Sequence, residues 1–298
     1  MGTTMLLDAA SMYFRAFYGV PETTTAPDGT PVNAVRGLLD MITRLLRARH
    51  PTRLIACMDA SWRPAFRVAA LPSYKAHRAN PDGSERVPAA LDAQLPIIVD
   101  VLSATGIAMA WADGYEADDI ISSLAGQASG PVEAVTGDRD LFQLVDDERH
   151  IVVDYIGKGV ANLELMDEAA VTAKYHIPGR SYAAFAALRG DLPGVPGVGE
   201  KTAAALVRVF GSVEAMLAAI DAGHGGFPAG SRAKLVAARP YLEACMPVVR
   251  VATDAPVKLT GGDLPSTPYD PARVAALDER FGLGSSLGRV LAALASAP

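Results

Sequence analysis

The sequence predicts an α/β fold built on a parallel sheet, followed by a helical module, and three observations carry that prediction. Three short apolar runs, Met5 to Leu7, Leu54 to Met58 and Val132 to Val135, read as strands, and each leads to an aspartate: Asp8, Asp59 and Asp138. Helical periodicity fills the intervals between them, as crossover connections of a parallel sheet require. From Tyr182 the strand-like runs give way to a helix, a glycine-rich hairpin and a second helix.

In chain order, Val35, Leu38, Leu39, Ile42, Leu45 and Leu46 recur at helical spacing, and His50-Pro51 ends the run. This is a core-facing crossover helix, with Arg44, Arg47 and Arg49 on its solvated face. Residues 61–96 interleave basic and aromatic side chains in Trp62 to Arg67 and Tyr74 to Arg78, then enter a breaker cluster from Asn80 to Glu85. That mixture suits either a nucleic-acid backbone or a mobile surface loop. A helix over Leu91 to Ala104 and a strand over Ile107 to Trp111 follow. Beyond Asp140, Leu141 to Val145 reads as helix, Ile151 to Tyr155 as strand and Glu168 to Tyr175 as helix. The tail from Pro265 shows no chemistry of its own, and Phe281 to Leu294 reads as a final packing helix.

The unusual chemistry is concentrated in Tyr115 to Asp119 and Thr136 to Asp140. The segment after the first block reads as a helix, so Glu116, Asp118 and Asp119 fall at its start, where backbone N–H groups favour negative charge. Asp138 and Asp140 lie just beyond a strand's carboxyl end, where ligands of open α/β sheets bind. Brought together, these carboxylates would repel unless hard divalent cations neutralised them. Alone, the two blocks are equally an ordinary acidic helix start and a solvated turn; three aspartates in register at strand ends favour a metal site.

The chain has 298 residues, about half of them apolar, and a net charge of -6, so its overall field does not advertise a polyanion partner. The distribution differs: nine Lys or Arg stand between Arg36 and Arg78 against Asp40 and Asp59. A basic region beside an acidic pocket implies a protein that grips phosphate and cuts it with metal. Cys57 and Cys245 are far apart and lack zinc-ligand spacing, which argues against a disulfide framework and places the chain inside a cell. No signal-like start and no bilayer-spanning apolar run is present, so the expectation is a soluble cytoplasmic protein without a membrane partner.

The hairpin string Pro193-Gly194-Val195-Pro196-Gly197-Val198-Gly199-Glu200-Lys201-Thr202 lets the backbone approach a phosphate closely, and the following helix start, with Lys201, binds it. Its glycine-to-lysine spacing is too short for a P-loop, which disfavours nucleotide hydrolysis.

Together these residues resemble the structure-specific 5' nucleases, the flap endonuclease and 5'-3' exonuclease group that includes the N-terminal domain of bacterial DNA polymerase I. The markers are Leu7-Asp8 with Tyr13 to Phe17, Asp59 with Phe66-Arg67, Tyr74-Lys75 and Arg78, Gly114 to Asp119, Thr136 to Asp140, Gly190-Asp191 and the hairpin to Thr202. The resemblance implies a PIN-like nuclease core over residues 1–178, with a mobile arch over 62–96. A helix-hairpin-helix type DNA-binding module over 179–262 and a helical tail over 263–298 packing on the core complete the expected organisation. It also implies two divalent ions, Mg2+ or Mn2+, with Asp8, Asp59, Glu116, Asp118 and Asp138 at or near the first and Asp119, Asp140 and Asp191 toward the second. Lys75 and Arg78 would act on the scissile phosphate at the foot of the arch. Arg15, Tyr74, Gly197, Gly199, Lys201 and Thr202 would contact DNA, with a monovalent cation at the hairpin. Phe17 and Tyr18 are near-site candidates. The expected partners are 5' flaps, nicks or ends and RNA-primed strands, met by a stand-alone monomer that removes flaps and primers in replication and repair. The family pattern runs a few residues further after Gly-Asp, with a second Asp, whereas here Asp191 is followed at once by Leu192-Pro193-Gly194. The alternative is a DNA-structure-binding scaffold of the same fold that cuts weakly or not at all.

Overall fold

The computed structural model describes residues 2–190 and 192–297. The chain opens with β1 (Thr4–Asp8), whose last residue caps α1 (Ala9–Gly19), and α2 (Asn33–Arg49) crosses back to β2 (Arg53–Cys57). The next stretch holds only the short α3 (Ala65–Ala70) and α4 (Ala89–Asp92) before α5 (Leu95–Thr105) leads into β3 (Ala108–Trp111). Then come α6 (Ala117–Gln127), β4 (Val132–Thr136), β5 (Ile151–Tyr155), β6 (Glu164–Met166) and α7 (Glu168–Tyr175). The helical part comprises α8 (Tyr182–Arg189), α9 (Glu200–Phe210), α10 (Val213–Asp221), α11 (Ser231–Ala237) and α12 (Arg239–Val249). It returns through β7 (Lys258–Leu259) to α13 (Pro271–Phe281) and α14 (Gly284–Ala295).

The sheet order is β6-β5-β4-β1-β2-β3-β7. The five inner strands are parallel and the two edge strands antiparallel. Alternation along the strands divides the interior in two. Leu6, Ile55, Cys57, Ala108 and Ala134 face α6 and the helical part, while Met5, Leu7, Leu54, Ala56 and Met109 face α1, α2, α5 and α14. The predicted parallel sheet is therefore present; β6 and β7, only 3 and 2 residues long, were too short to announce themselves by periodicity.

Three helix expectations need correction. The predicted helix over Leu91 to Ala104 is broken between α4 and α5. There Gln94 is fully buried and its amide joins Asn33 Oδ1, the Ala34 N–H and the Ala90 carbonyl, so side-chain bonding replaces the helical ladder. The stretch expected as helix from Leu141 is a 3-10 turn, Arg139–Leu144. Phe281 ends α13 rather than starting a helix, because Gly282 adopts φ 58° and closes it in the left-handed region. Arg49 also leaves its expected solvated face: it pairs with Glu133 at 3.0 Å and with the fully buried Asp154 at 3.1 Å. Burial pushes the Asp154 carboxyl up to about 7 despite Arg49, with Glu133 adding repulsion.

Candidate active site

The strand order reverses at β1: the chain first lays β2 and β3 on one side and later β4 and β5 on the other. A crevice opens at the carboxyl ends there, where the crossing connections diverge. Asp8 ends β1; its Oδ1 accepts from the Ser11 N–H at 2.9 Å, capping α1, and its Oδ2 accepts from Thr136 Oγ1 at 2.7 Å. Thr136 Oγ1 accepts in turn from the Asp138 N–H at 2.9 Å. One hydroxyl thus links the acidic ends of β1 and β4. The Gly137 N–H donates to Ser11 Oγ at 3.0 Å, and a Cβ on Gly137 would lie 2.8 Å from that oxygen, so a larger residue would displace the Ser11 side chain.

Beyond β2, Asp59 Oδ1 accepts from the Ala117 N–H at 2.6 Å, fixing the start of α6. Glu116 is the N-cap of that helix, and Asp119 reaches back to accept from the Glu116 N–H at 3.2 Å. Asp8, Asp59, Glu116, Asp118 and Asp138 all line one cleft of about 980 Å³. Lys75, Arg78, Glu85 and Arg86 line it from the stretch between α3 and α4, and Phe14, Arg15 and Tyr18 from α1.

Burial pushes the Asp8 carboxyl up to about 7, with the charges of Asp59 and Asp138 adding to the shift and its two hydrogen bonds opposing it. Asp118 keeps some accessible surface, yet burial and then Asp138, Asp8 and Glu116 hold its carboxyl well above the usual range. Asp59 is raised by burial, with the Ala117 N–H and Lys75 opposing. These carboxylates are crowded beyond what their own surroundings neutralise.

Arg67 organises the wall behind them. Only 2 % exposed, it donates to both oxygens of Asp119 at 2.7 and 2.8 Å, to Glu116 Oε2, and to the carbonyls of Val248 and Arg250 at 3.1 and 3.4 Å. It bolts α3, α6 and the end of α12 together. Asp119, which the resemblance places toward the second metal, does not line the cleft: it is fully buried, and Arg67, the Glu116 N–H and the Ala252 N–H, at 2.8 Å, occupy its oxygens. Tyr74, expected to contact DNA, donates its hydroxyl to Glu116 Oε2 at 2.8 Å and does not line the cleft. Lys75 donates to Glu116 Oε1 and, at 3.3 Å, to the Trp62 carbonyl. Burial opposes its charge, but Glu116, Asp59 and Asp118 more than offset that and raise its pKa. Lys75 takes up φ 48°, a left-handed backbone that is strained for a side chain of this kind.

Arg78 is exposed and lines the cleft; Arg15 lines the opposite wall and donates to the Gly157 carbonyl at 3.2 Å. Asp140 sits just beyond Asp138, whose Oδ1 accepts from the Asp140 N–H at 2.9 Å, and it does not line the cleft. Asp191 lies outside the described residues.

The hairpin forms between α8 and α9. Gly197 takes φ 75°, Gly199 caps α9, and Lys201 and Thr202 occupy the first turn, Lys201 exposed. The Gly197 carbonyl accepts from Lys234 Nζ at 2.8 Å, so a protein ammonium already occupies it. The chain at Gly190 and Gly194 packs so closely that a Cβ on Gly194 would lie 2.5 Å from the Gly190 Cα.

The family model for the 5'-3' exonuclease N-terminal resolvase-like domain matches residues 3–176, and that for the 5'-3' exonuclease C-terminal SAM fold matches residues 177–272. The chain belongs to the 5'-3' exonuclease family. A 5'-3' exonuclease of Streptomyces coelicolor is 53% identical over 97% of this chain and 99% of its own length. One from Mycobacterium tuberculosis is 48% identical over 99% and 98%. DNA polymerase I of Mycobacterium bovis is 40% identical over 90% of this chain but only 29% of its own length. Among solved structures, the bacteriophage T5 flap endonuclease in complex with DNA and metal ions superposes with TM-score 0.62 at 19% identity, covering 98% of this chain and 99% of that one. Flap endonuclease-1 from Methanococcus jannaschii gives 0.57 at 15%, covering 100% and 94%. These likenesses show that the fold is shared.

The family implies divalent metal, and the donor set fits it. The cleft offers carboxylate oxygens and no cysteine or histidine among the described residues, the chemistry of hard ions such as Mg2+ or Mn2+. Among the described residues, no three such side chains close into a ready-made cage. Glu116 in particular is held by Lys75, Tyr74 and Arg67. Sequence reading passed over the roles of Arg67, Thr136 and Ser11. A lone arginine in the apolar run Ala65 to Ala70 was the available signal for the first, since such a side chain is buried only with acidic partners.

Proposed function

We propose that this chain hydrolyses DNA phosphodiesters near 5' ends, at flaps, nicks or duplex ends, with the aid of two divalent metal ions. One observation carries the reading: three strand ends and one helix start deliver five carboxylates to a single cleft whose facing wall carries Lys75, Arg78 and Arg86. Asp8, Asp59, Glu116, Asp118 and Asp138 would hold the metal, Glu116 after exchanging its present partners. Asp140 and Asp191 complete the proposed set, while Asp119 acts through Arg67 as a positioning residue. The chemistry such ions supply when bound is neutralisation of phosphate charge and activation of water at neutral pH.

The remaining work falls to the chain. Lys75, kept charged by its acidic neighbours, places an ammonium where negative charge accumulates on the scissile phosphate. Arg78 at the mouth and Arg15 on the opposite wall grip neighbouring phosphates, a task suited to the guanidinium fork. Gly197, Gly199, Lys201 and Thr202 hold the duplex backbone, reading no bases. The DNA in the T5 flap endonuclease complex supports this reading.

The test is a 5'-labelled flap duplex incubated with EDTA, Mg2+ or Mn2+, using wild type and Asp138→Asn. Metal-dependent cleavage by wild type, lost in the variant while DNA binding persists, is expected. Binding without cleavage by wild type under every metal condition would instead make the chain a structure-binding scaffold.

A further inference from the structure

Eight large apolar side chains are exposed among the described residues, and Tyr18, at 73%, is the one that lines the active-site cleft. Scattered exposed apolar residues are ordinary. Tyr18 differs in its setting. It stands on the last turn of α1, four residues beyond Phe14, which lines the same cleft, so the two rings share one helix face. Phe17, nearly buried, meets its ring edge-on at 5.2 Å and 78°, which steadies the ring without covering it. Arg78 and Arg86 line the same cleft from the arch. An uncovered ring in a phosphate-directed cleft that also carries cations is the arrangement by which proteins hold single-stranded nucleic acid: bases stack while cations track the backbone.

We propose that Tyr18 is a stacking platform for an unpaired nucleobase of the 5' strand as it passes between α1 and the arch. The inference rests on the nuclease reading of the cleft and adds a determinant for single-stranded character. Its reach follows from helix geometry. Tyr18 is ten residues past Asp8, about 15 Å along the axis at 1.5 Å per residue. With stacked bases about 3.4 Å apart, the base it meets lies roughly four nucleotides from a phosphate beside the carboxylate cluster, fewer when the strand is extended.

The experiment measures binding by wild type, Tyr18→Ala, Tyr18→Phe and Tyr18→Trp to a flap oligonucleotide in EDTA, where cleavage does not intervene. A parallel series places one abasic nucleotide at each of the first six positions of the 5' strand. Tyr18→Ala should weaken flap binding on the order of tenfold, Tyr18→Phe and Tyr18→Trp should restore it, and 2-aminopurine at the contacted position should lose its quenching in Tyr18→Ala alone. At one or two abasic positions wild type and Tyr18→Ala should bind equally. Equal affinity of Tyr18→Ala and wild type for the intact flap would overturn the proposal. So would a loss in Tyr18→Phe as large as in Tyr18→Ala, or a loss that no abasic position abolishes. Failure of wild type to cleave with Mg2+ or Mn2+ would remove the nuclease reading while leaving these binding differences measurable.

Discussion

Replacing Arg67 with alanine tests whether the wall behind the cleft is held by one buried charge. The guanidinium is 2% exposed and faces two carboxylates, Asp119 at 0% and Glu116 at 3%. Removing one member of a buried ion pair leaves its partners desolvated and uncompensated, at a cost of about 3–5 kcal/mol. Lys75 still pairs with Glu116, and two backbone N–H groups still reach Asp119, so the lower half of that range applies. With roughly 2–4 °C of Tm per kcal/mol in proteins of about this size, thermal unfolding followed by circular dichroism should move down by roughly 6–15 °C. Arg67→Lys should recover little, since one ammonium cannot span both oxygens of Asp119 and two carbonyls at once. The variant should also cut poorly at temperatures where it is folded, because the start of α6 carries Glu116 and Asp118 into the cleft. A Tm within about 3 °C of wild type would show that water or rearrangement replaces Arg67, and the reasoning would fail.

Three further outcomes are expected. Lys75→Ala should lower the single-turnover rate on the order of a hundred-fold with little change in flap affinity, and added Mn2+ should not restore it, because Lys75 is not a ligand; rescue by metal would refute that role. The Asp8 carboxyl, raised from 3.8 to about 7, binds its proton more tightly in the folded than the unfolded chain, so its contribution to metal-free stability falls as pH rises from about 4 to about 7. Asp8→Asn should therefore flatten the Tm-against-pH profile in EDTA, and wild-type activity at limiting metal should climb toward pH 7 as Asp8 ionises; parallel Tm profiles would contradict the assignment. Lys201→Ala should weaken all duplex substrates alike and reduce the salt slope by roughly one phosphate contact, and an unchanged slope would place the hairpin elsewhere.

The features legible in the sequence were those that repeat. Short apolar runs leading to Asp8, Asp59 and Asp138 announced the parallel sheet and its crevice, since an apolar run and the residue that follows it are local properties. What stayed hidden depends on partners distant in the chain. Asp118 and Asp119 are adjacent and chemically identical, yet one lines the cleft and the other is bound by Arg67 in its rear wall. Helical phase and an arginine 52 residues away decide between them. Tyr74 was expected to contact DNA, but composition does not say which end of a tyrosine is used; its hydroxyl found Glu116. Arg49 was misread for the same reason, its partners Glu133 and Asp154 lying on strands that only the finished sheet brings beneath α2. In the tail, the glycines of Gly282-Leu283-Gly284 did mark the true break, and the apolar residues flanking them masked it.

The seating of α14 along α2 has a consequence for synthesis. The apolar residues of α2, Leu39 and Ile42 among them, are on the ribosome's output early, but the cluster they share with Leu287, Val290 and Leu294 is completed only when α14 arrives. At about 5–20 residues per second, the wait between completion of β6 and emergence of α14 is on the order of ten seconds. For that interval the nascent chain carries α2 with the apolar face that α14 will cover open to water, long enough for chaperones or proteases to find it.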